Sequence, residues 1–582
     1  MKKVIPVLLA LVLIAVIAWF TFGQQVVEKY TYSDERADLN EYFNIMKADE
    51  VAILLQDDRL EEKALIVDGK VYLDLESVHK YLNDRFYLDP VENLLVYTTA
   101  NDLIVTSVGT SSYSINGESK DLGYRLSFSK VAGEEQICYL ALDYVQMHTA
   151  FTYELFEEPY RMQVYTTFME RTLADVAKDN AVRHKGGIKS PILTDVSEGD
   201  ELIILEKMET WAKVKTADGI IGYIENDLLT NEREGLRKEL SSFVGKDDIK
   251  IEYPSLTRDH KIALGWHAVY SKTGNDTLRE VIADAPSMNV ISPTWYSMTD
   301  EEGNIRSFAS KAYVELAHAC GLEVWPALDD LNYVKDNGER VNTHKTLVAT
   351  STRQHLVHKV VEEALAFGVD GINVDIERFD DPKDGTYVKD AYIQFVRELS
   401  IECRKNGLVL SVDIPVPYHY NSRYNVAELG AVADYVIIMG YDEHGTGSKT
   451  VGPVASLPYV TDGLNLTTEV VPSKKVINAL PFYVRFWTTK GVEVSNRDWG
   501  MSAVKSLLKE YDMETKWDEA AGQNYARAEK NGVVYEMWLE DIDAVLAKIN
   551  VMKKYDLGGV AAWRLGYESQ GIWDIIKAYI SN

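Results

Sequence analysis

From Lys261 to the end of the chain, eight short apolar runs recur, each followed by a stretch of helical periodicity. They read KIALGWHAVY, NVISPTWYSM, LEVWPALDDL, VDGINVDIERF, LVLSVDIPV, YVIIMGYDE, VINALPFYVRFW and GGVAAWRLGYE. Eight β-then-α units over about 320 residues predict a (β/α)8 barrel. Barrels of this kind carry their chemistry at the C-terminal ends of the strands, so the residues that close each run are the site candidates. Trp295 and Tyr296 close the second run, Asp329 and Asp330 the third, Asp413 the fifth. Tyr441 and Asp442 close the sixth, Tyr483 the seventh and Trp563 the eighth.

The fourth run, DGINVDIERF, places Asn373, Asp375 and Glu377 at alternate positions among Ile372, Val374 and Ile376. A strand alternates its faces, so one face is apolar and the other acidic. Same-face neighbours lie roughly 6 to 7 Å apart, close enough for two carboxylates to repel unless one is protonated or partnered. Taken alone, such alternation also describes the solvent side of an amphipathic strand. Its place among seven other polar or aromatic strand ends is what makes it a candidate site.

The rest of the chain narrows the partners. A formal charge of −29 in 582 residues argues against a nucleic-acid surface, which needs an excess of Lys and Arg, and favours a neutral partner such as a glycan. Residues 1–25 hold two lysines followed by an apolar run, VIPVLLALVLIAVIAWFTFG, with the length and flank of an uncleaved membrane anchor. That reading tethers the chain to the cell membrane by a single pass and places everything beyond the anchor on the outer, cell-wall side. Cys138, Cys320 and Cys403 stand far apart and form no metal or redox motif. No cofactor and no metal is expected. The loop DDPKDG, Asp380 to Gly385, lacks calcium-loop spacing and reads as a polar turn.

Residues 26–170 contain a duplication. A DG turn between alternating strands and a helical stretch, LIVDGKVYLDLESVHKYL, is echoed by YSINGES and ICYLALDYVQMHT, with an offset of 67 between Tyr72 and Tyr139. The pair resembles the small α+β stalk domains first described in copper amine oxidases. Without a His cluster it implies spacing or wall attachment, with no copper. Residues 171–232 carry EGD, Trp211, DG and GYI among short strands, and resemble bacterial SH3-type domains of cell-wall proteins. Trp211 is read as core. The run NEREGLRKELSSFVGKDD is a charged linker into the barrel, residues 245–582.

The barrel motifs resemble a family 18 glycoside hydrolase. That family's D-G-x-D-x-D-x-E reads DGINVDIE here, with Asp370, Gly371, Asp375 and Glu377 matching and Asn373 standing where a third acid is usual. MGYD at Met439 to Asp442 resembles the family's M-x-Y-D, and Trp563 its strand-eight tryptophan. The runs MGYDEHGTGSKTVGPVA and WLEDIDAVLAKINVMKKYDLGGVAAWRLG are similar to the spore-wall and cell-wall branch.

The resemblance implies Glu377 as general acid and base, Asp375 as the group that positions a substrate acetamide, and Tyr441 as donor to its carbonyl oxygen. It implies substrate contacts at Asn373, Met439, Asp442, Trp563, Tyr296 and Asp413. It also implies an N-acetylated cell-wall glycan as partner, cleaved after N-acetylglucosamine with retention through an oxazolinium ion. Glu443 and His444 are read as loop or subsite residues. The alternative is an inactive glycan-binding wall protein on the same barrel, against which the retained Glu377 argues. Oligomeric state is not legible in the sequence.

Overall fold

The computed structural model describes residues 4–20, 28–133, 135–236, 252–378 and 386–581. The loop 380–385, much of the linker and residues 21–27 lie outside them. Two compact units emerge: Met1–Phe86, Val108–Ser112 and Asp121–Lys250 in one, and Tyr87–Ser107, Tyr113–Lys120 and Ile251–Asn582 in the other.

In the first unit the N-terminal apolar run forms a helix, Val4–Ala18. Among the described residues no helix is long and apolar enough to cross a membrane, so the expected spanning anchor is not found.

A seven-stranded sheet follows, in which the duplicated strands Lys70–Asp74 and Glu135–Ala141 pair antiparallel. Leu73 faces Leu140, its own equivalent at the repeat offset of 67, so these two strands are related by a local two-fold axis. Strands between Arg171 and Gly235 make a second seven-stranded sheet around Val182, Ala212, Val214 and Ile224. Trp211 is partly buried there, its ring close against Gly186.

The second unit is the barrel. Its strands are β1 (Ile262–His267), β2 (Val290–Pro293, resumed at Tyr296–Met298), β3 (Glu323–Val324, resumed at Ala327–Asp329) and β4 (Gly371–Asp375). They continue as β5 (Val409–Pro415), β6 (Tyr435–Met439), β7 (Val476–Pro481) and β8 (Gly559–Trp563). All pair in parallel, and β8 pairs with both β7 and β1 to close the ring. The helices are α1 (Leu278–Ala283), α2 (Lys311–Ala319), α3 (Thr350–Phe367) and α4 (Thr386–Asn406). The remaining four are α5 (Val426–Val432), α6 (Leu457–Thr468), α7 (Ile542–Tyr555) and α8 (Ile572–Ile580). Alternation in β4 sends Ile372, Val374 and Ile376 into the apolar layer under these helices, leaving Asn373 and Asp375 for the interior.

Some features of this unit lie outside the eightfold pattern, among them a helix at Thr343–Val348. β7 ends at Pro481, and Tyr483 through Trp487, read as its continuation, begin a separate five-stranded antiparallel sheet spanning Tyr483–Lys490 to Val533–Trp538, with a helix at Met501–Tyr511. The strands Tyr87–Asp89 and Leu94–Thr98, from the first of the duplicated copies, pack on α3 and α4. Asp89 there is fully buried and accepts the Thr350 N–H at 2.6 Å, capping α3, whose own N-cap Ala349 offers no side-chain acceptor. The Tyr87 hydroxyl donates to the Val348 carbonyl at 2.6 Å, and Arg404 donates to the Ala100 carbonyl at 2.7 Å. The segment 26–170 is thus divided between the two units.

Candidate active site

Asn373 is the organising residue of the barrel interior. Its Oδ1 accepts from Trp266 Nε1 at 2.9 Å and from Ser292 Oγ at 3.2 Å, while its Nδ2 donates to Ser411 Oγ at 3.0 Å and Asp413 Oδ1 at 2.8 Å. Four partners use its full amide capacity. An aspartate here would set a second carboxyl against Asp413, one of which would have to take a proton, whereas the amide donates to Asp413 without adding a charge.

Asp375 stands one inward step further along β4, opposite Asp329 of β3. Its Oδ1 is buried and has no hydrogen-bond partner. Burial, followed by the charges of Glu377, Asp413, Asp329 and Asp330, holds the Asp375 carboxyl well above the ordinary carboxylate range. Asp413 behaves likewise: burial raises its pKa, and its Oδ2 is a second buried acceptor without a partner. Two unpartnered carboxylate oxygens in one mouth are places where a ligand N–H or O–H would be worth most.

Glu377 lies just past the end of β4. Its backbone N–H donates to Asp330 Oδ1 at 3.0 Å, and the next N–H, of Arg378, donates to Asp330 Oδ2 at 2.8 Å. Burial, then the charges of Asp330 and Asp442, push the Glu377 carboxyl up to about 7, while Arg378 opposes. A carboxylic acid poised there can donate a proton near neutral pH and then accept one.

The charges of Asp375, Asp413 and Glu377 all bear on the Tyr441 hydroxyl, which burial already holds in its neutral, donating form. Tyr441 and Trp563 both pack on the inner cluster that contains Trp266, Trp325 and Ile437, and Trp563 meets Trp266 edge to face at 6.0 Å. Met439 is buried at the end of β6, paired with Pro415 and Ala479. Asp442, in left-handed backbone geometry at φ 60°, is held by the Tyr483 hydroxyl and by Arg485 at 3.0 Å.

The strand ends thus gather Asn373, Asp375, Glu377, Asp413, Tyr441, Asp442, Met439 and Trp563 at one mouth. Tyr296 is the exception. β2 breaks at Thr294 and Trp295, where the Trp295 N–H turns back to the Pro293 carbonyl, and resumes at Tyr296 with its facing reset: Ser297 points inward, to Asp329 at 3.1 Å. Tyr296 is fully buried among the apolar residues under the helices. It belongs to that layer and is not a mouth residue. Glu443 accepts from the Ser456 N–H and hydroxyl at the start of α6, and His444 Nδ1 lies 3.0 Å from the Pro453 carbonyl, so both brace a loop.

Sequence reasoning missed Trp266, Ser411 and Arg485 as supports. The alternation of β1 and β5 could have identified the first two, because both fall on the inward parity.

The model of Glycosyl hydrolases family 18 matches residues 337–568 of this chain, a span that includes β4 to β8. That of the Bacterial SH3 domain matches residues 179–230. Among relatives, the uncharacterized glycosylase YvbX of Bacillus subtilis (strain 168) is 25% identical over 303 residues, covering 50% of this chain and 84% of that protein. The cortical fragment-lytic enzyme of Bacillus anthracis is 23% identical over 260 residues, covering 43% and 59%. The fold matches the C-terminal domain of a "putative chitinase" from Desulfitobacterium hafniense DCB-2, with a TM-score of 0.50 and 19% identity over 55% of this chain and 100% of that one.

Proposed function

We propose that this family 18 hydrolase cleaves the β-1,4 bond following N-acetylglucosamine in peptidoglycan, with retention and with the substrate's own acetamide as nucleophile. The observation that carries the reading is Glu377: one proton donor, raised to about 7, near an aspartate whose buried Oδ1 is a free acceptor.

In the first step Glu377 gives its proton to the glycosidic oxygen as the C1–O bond breaks. The acetamide carbonyl oxygen closes on C1 to form an oxazolinium ion. Asp375 accepts the acetamide N–H, orienting the group and countering the charge that develops on it. Tyr441 donates to the acetamide oxygen and Trp563 supplies an apolar floor for the sugar. In the second step the Glu377 carboxylate takes a proton from water as that water attacks C1 and the ring reopens. The carboxylate pair of most retaining glycosidases is replaced here by one carboxyl acid and the substrate, as in the substrate-assisted exceptions.

Peptidoglycan is favoured over chitin by the SH3-type domain at 179–230 and by the likeness to a cortical fragment-lytic enzyme. We place the catalytic unit on the wall side of the cell membrane, a reading supported only by the apolar run behind Lys2 and Lys3.

The test is the configuration of the first-formed product from N-acetylglucosamine oligomers, read by proton NMR before mutarotation. The β-anomer is expected, and the α-anomer would refute substrate assistance. Glycan binding with no cleavage would favour a lectin.

A further inference from the structure

We propose that Asp330 is a positioning residue for the proton donor: its carboxylate clamps the backbone that carries Glu377 and keeps a negative charge beside that side chain. The inference rests on the catalytic reading of Glu377 given above.

Asp330 closes β3 immediately after Asp329, and the two have different tasks. Asp329 turns back on its own loop, accepting the N–H groups of Leu331 and Asn332 at 2.9 and 2.7 Å. Asp330 reaches across to the neighbouring strand. Each of its oxygens takes one backbone N–H, from Glu377 and from Arg378, and Oδ2 also accepts the Thr343 hydroxyl at 2.9 Å.

β4 ends at Asp375, so Glu377 has left the ladder and its N–H has no strand partner. Asp330 supplies the missing acceptor. Two backbone N–H groups, one on each oxygen, favour the charged form of Asp330, so the bonds that hold the Glu377 backbone also favour a negative charge near it. Asp330 is itself 4% exposed, which keeps solvent from screening that charge.

Glu377 is surrounded by further groups. Asp329 stands on β3, Asp375 and Arg378 on and after β4, Asp413 on β5, Tyr424 before α5, and Tyr441 and Asp442 after β6. Of these charges, that of Asp330 acts most strongly on the Glu377 carboxyl. Asp330 is raised to about 6, mainly by burial, so it is charged in the range where Glu377 titrates.

The experiment compares the full-length protein with Asp330→Asn and Thr343→Val, using N-acetylglucosamine oligomers as probe and kcat/KM measured from pH 4 to 9. Asn keeps one acceptor and loses the charge. Glu377 then deprotonates more easily, so the alkaline limb of the profile moves to lower pH, and activity at pH 8 falls about tenfold for each unit moved. Thr343→Val leaves both backbone bonds but removes the hydroxyl that favours charged Asp330, so the limb moves the same way by less. This second variant stands in if Asp330→Asn does not fold.

Loss of activity with the alkaline limb unmoved in both variants would make Asp330 a structural acceptor only and overturn the proposal. Should the wild type cleave neither the oligomers nor purified peptidoglycan, the catalytic reading fails. Infrared difference titration of the Glu377 carboxyl in wild type and Asp330→Asn then decides whether Asp330 controls its protonation: a lowered midpoint in the variant supports the control, and an unchanged one overturns it.

Discussion

The side-chain amide of Asn373 donates to Asp413 across 2.8 Å inside the barrel, so a neutral residue on β4 holds a carboxylate on β5 without adding a charge of its own. That relationship separates the interior of this barrel from one carrying three acids in a row. It also predicts the outcome of restoring the acid.

Asn373→Asp replaces the donor Nδ2 with an acceptor facing Asp413, although Trp266 and Ser292 can still donate to it. One of the two carboxyls must take a proton to stay folded. A pair with raised folded pKa values contributes stability below the unfolded carboxylate range and loses it as pH rises through the folded values. Urea unfolding is expected to show a loss of about 1–3 kcal/mol at pH 7 and a smaller one at pH 5. An equal loss at both would contradict the account.

Glu377 itself should destabilise the protein at alkaline pH. Its folded pKa of about 7 lies above the unfolded value, with burial the first cause and Asp330 the second. Its contribution is therefore present in full below the unfolded value and lost as pH rises through 7. Glu377→Gln should melt with the wild type at pH 4 and be more stable at pH 8.5, by on the order of 1–3 kcal/mol. Identical melting curves at both pH values would show that burial does not strain this carboxylate.

The capping of α3 by Asp89 makes the strands at 87–107 part of the catalytic unit. Asp89→Ala leaves the Thr350 N–H buried without an acceptor and frees the Val91 and Glu92 N–H groups held by the other oxygen. The expected loss is about 1–2 kcal/mol, measured on the barrel's unfolding transition in the full chain. A transition that does not move would mean that the strands merely lie on the helices.

Arg485 is 1% exposed on its side chain and joins Asp442 to Asp498, with a third bond to the His444 carbonyl at 2.7 Å. It fastens the loop after β6 to the inserted sheet. In Arg485→Met that loop loosens, and KM for oligomers should rise while kcat changes less. Loss of kcat with KM unchanged would place Arg485 closer to the chemistry than its contacts suggest.

How much of this was legible depended on the range over which each contact acts. The eight strands could be read because alternation is local, and the mouth because strand ends are where barrels put polar groups. Asn373, Asp375 and Glu377 were visible for the same reason. Tyr296 misled because β2 breaks at Thr294 and Trp295 and its parity resets there, a local effect that a strand-length pattern averages away. Arg485 was hidden inside VINALPFYVRFW, where the apolar run crosses from β7 into the inserted sheet without a turn signal. The role of Tyr87 and Asp89 could not be read at all, since their partners lie 261 residues away.

The most direct test of the central claim compares wild type with Glu377→Gln on purified peptidoglycan and on chitin oligomers, with new reducing ends identified by mass spectrometry. Gln keeps the shape but has no proton to give, and loss of the acid should lower the rate by about 10²-fold or more. The account predicts N-acetylglucosamine reducing ends from wild type on peptidoglycan and almost none from the variant. Equal product from both, or muramic-acid reducing ends from the wild type, would contradict it.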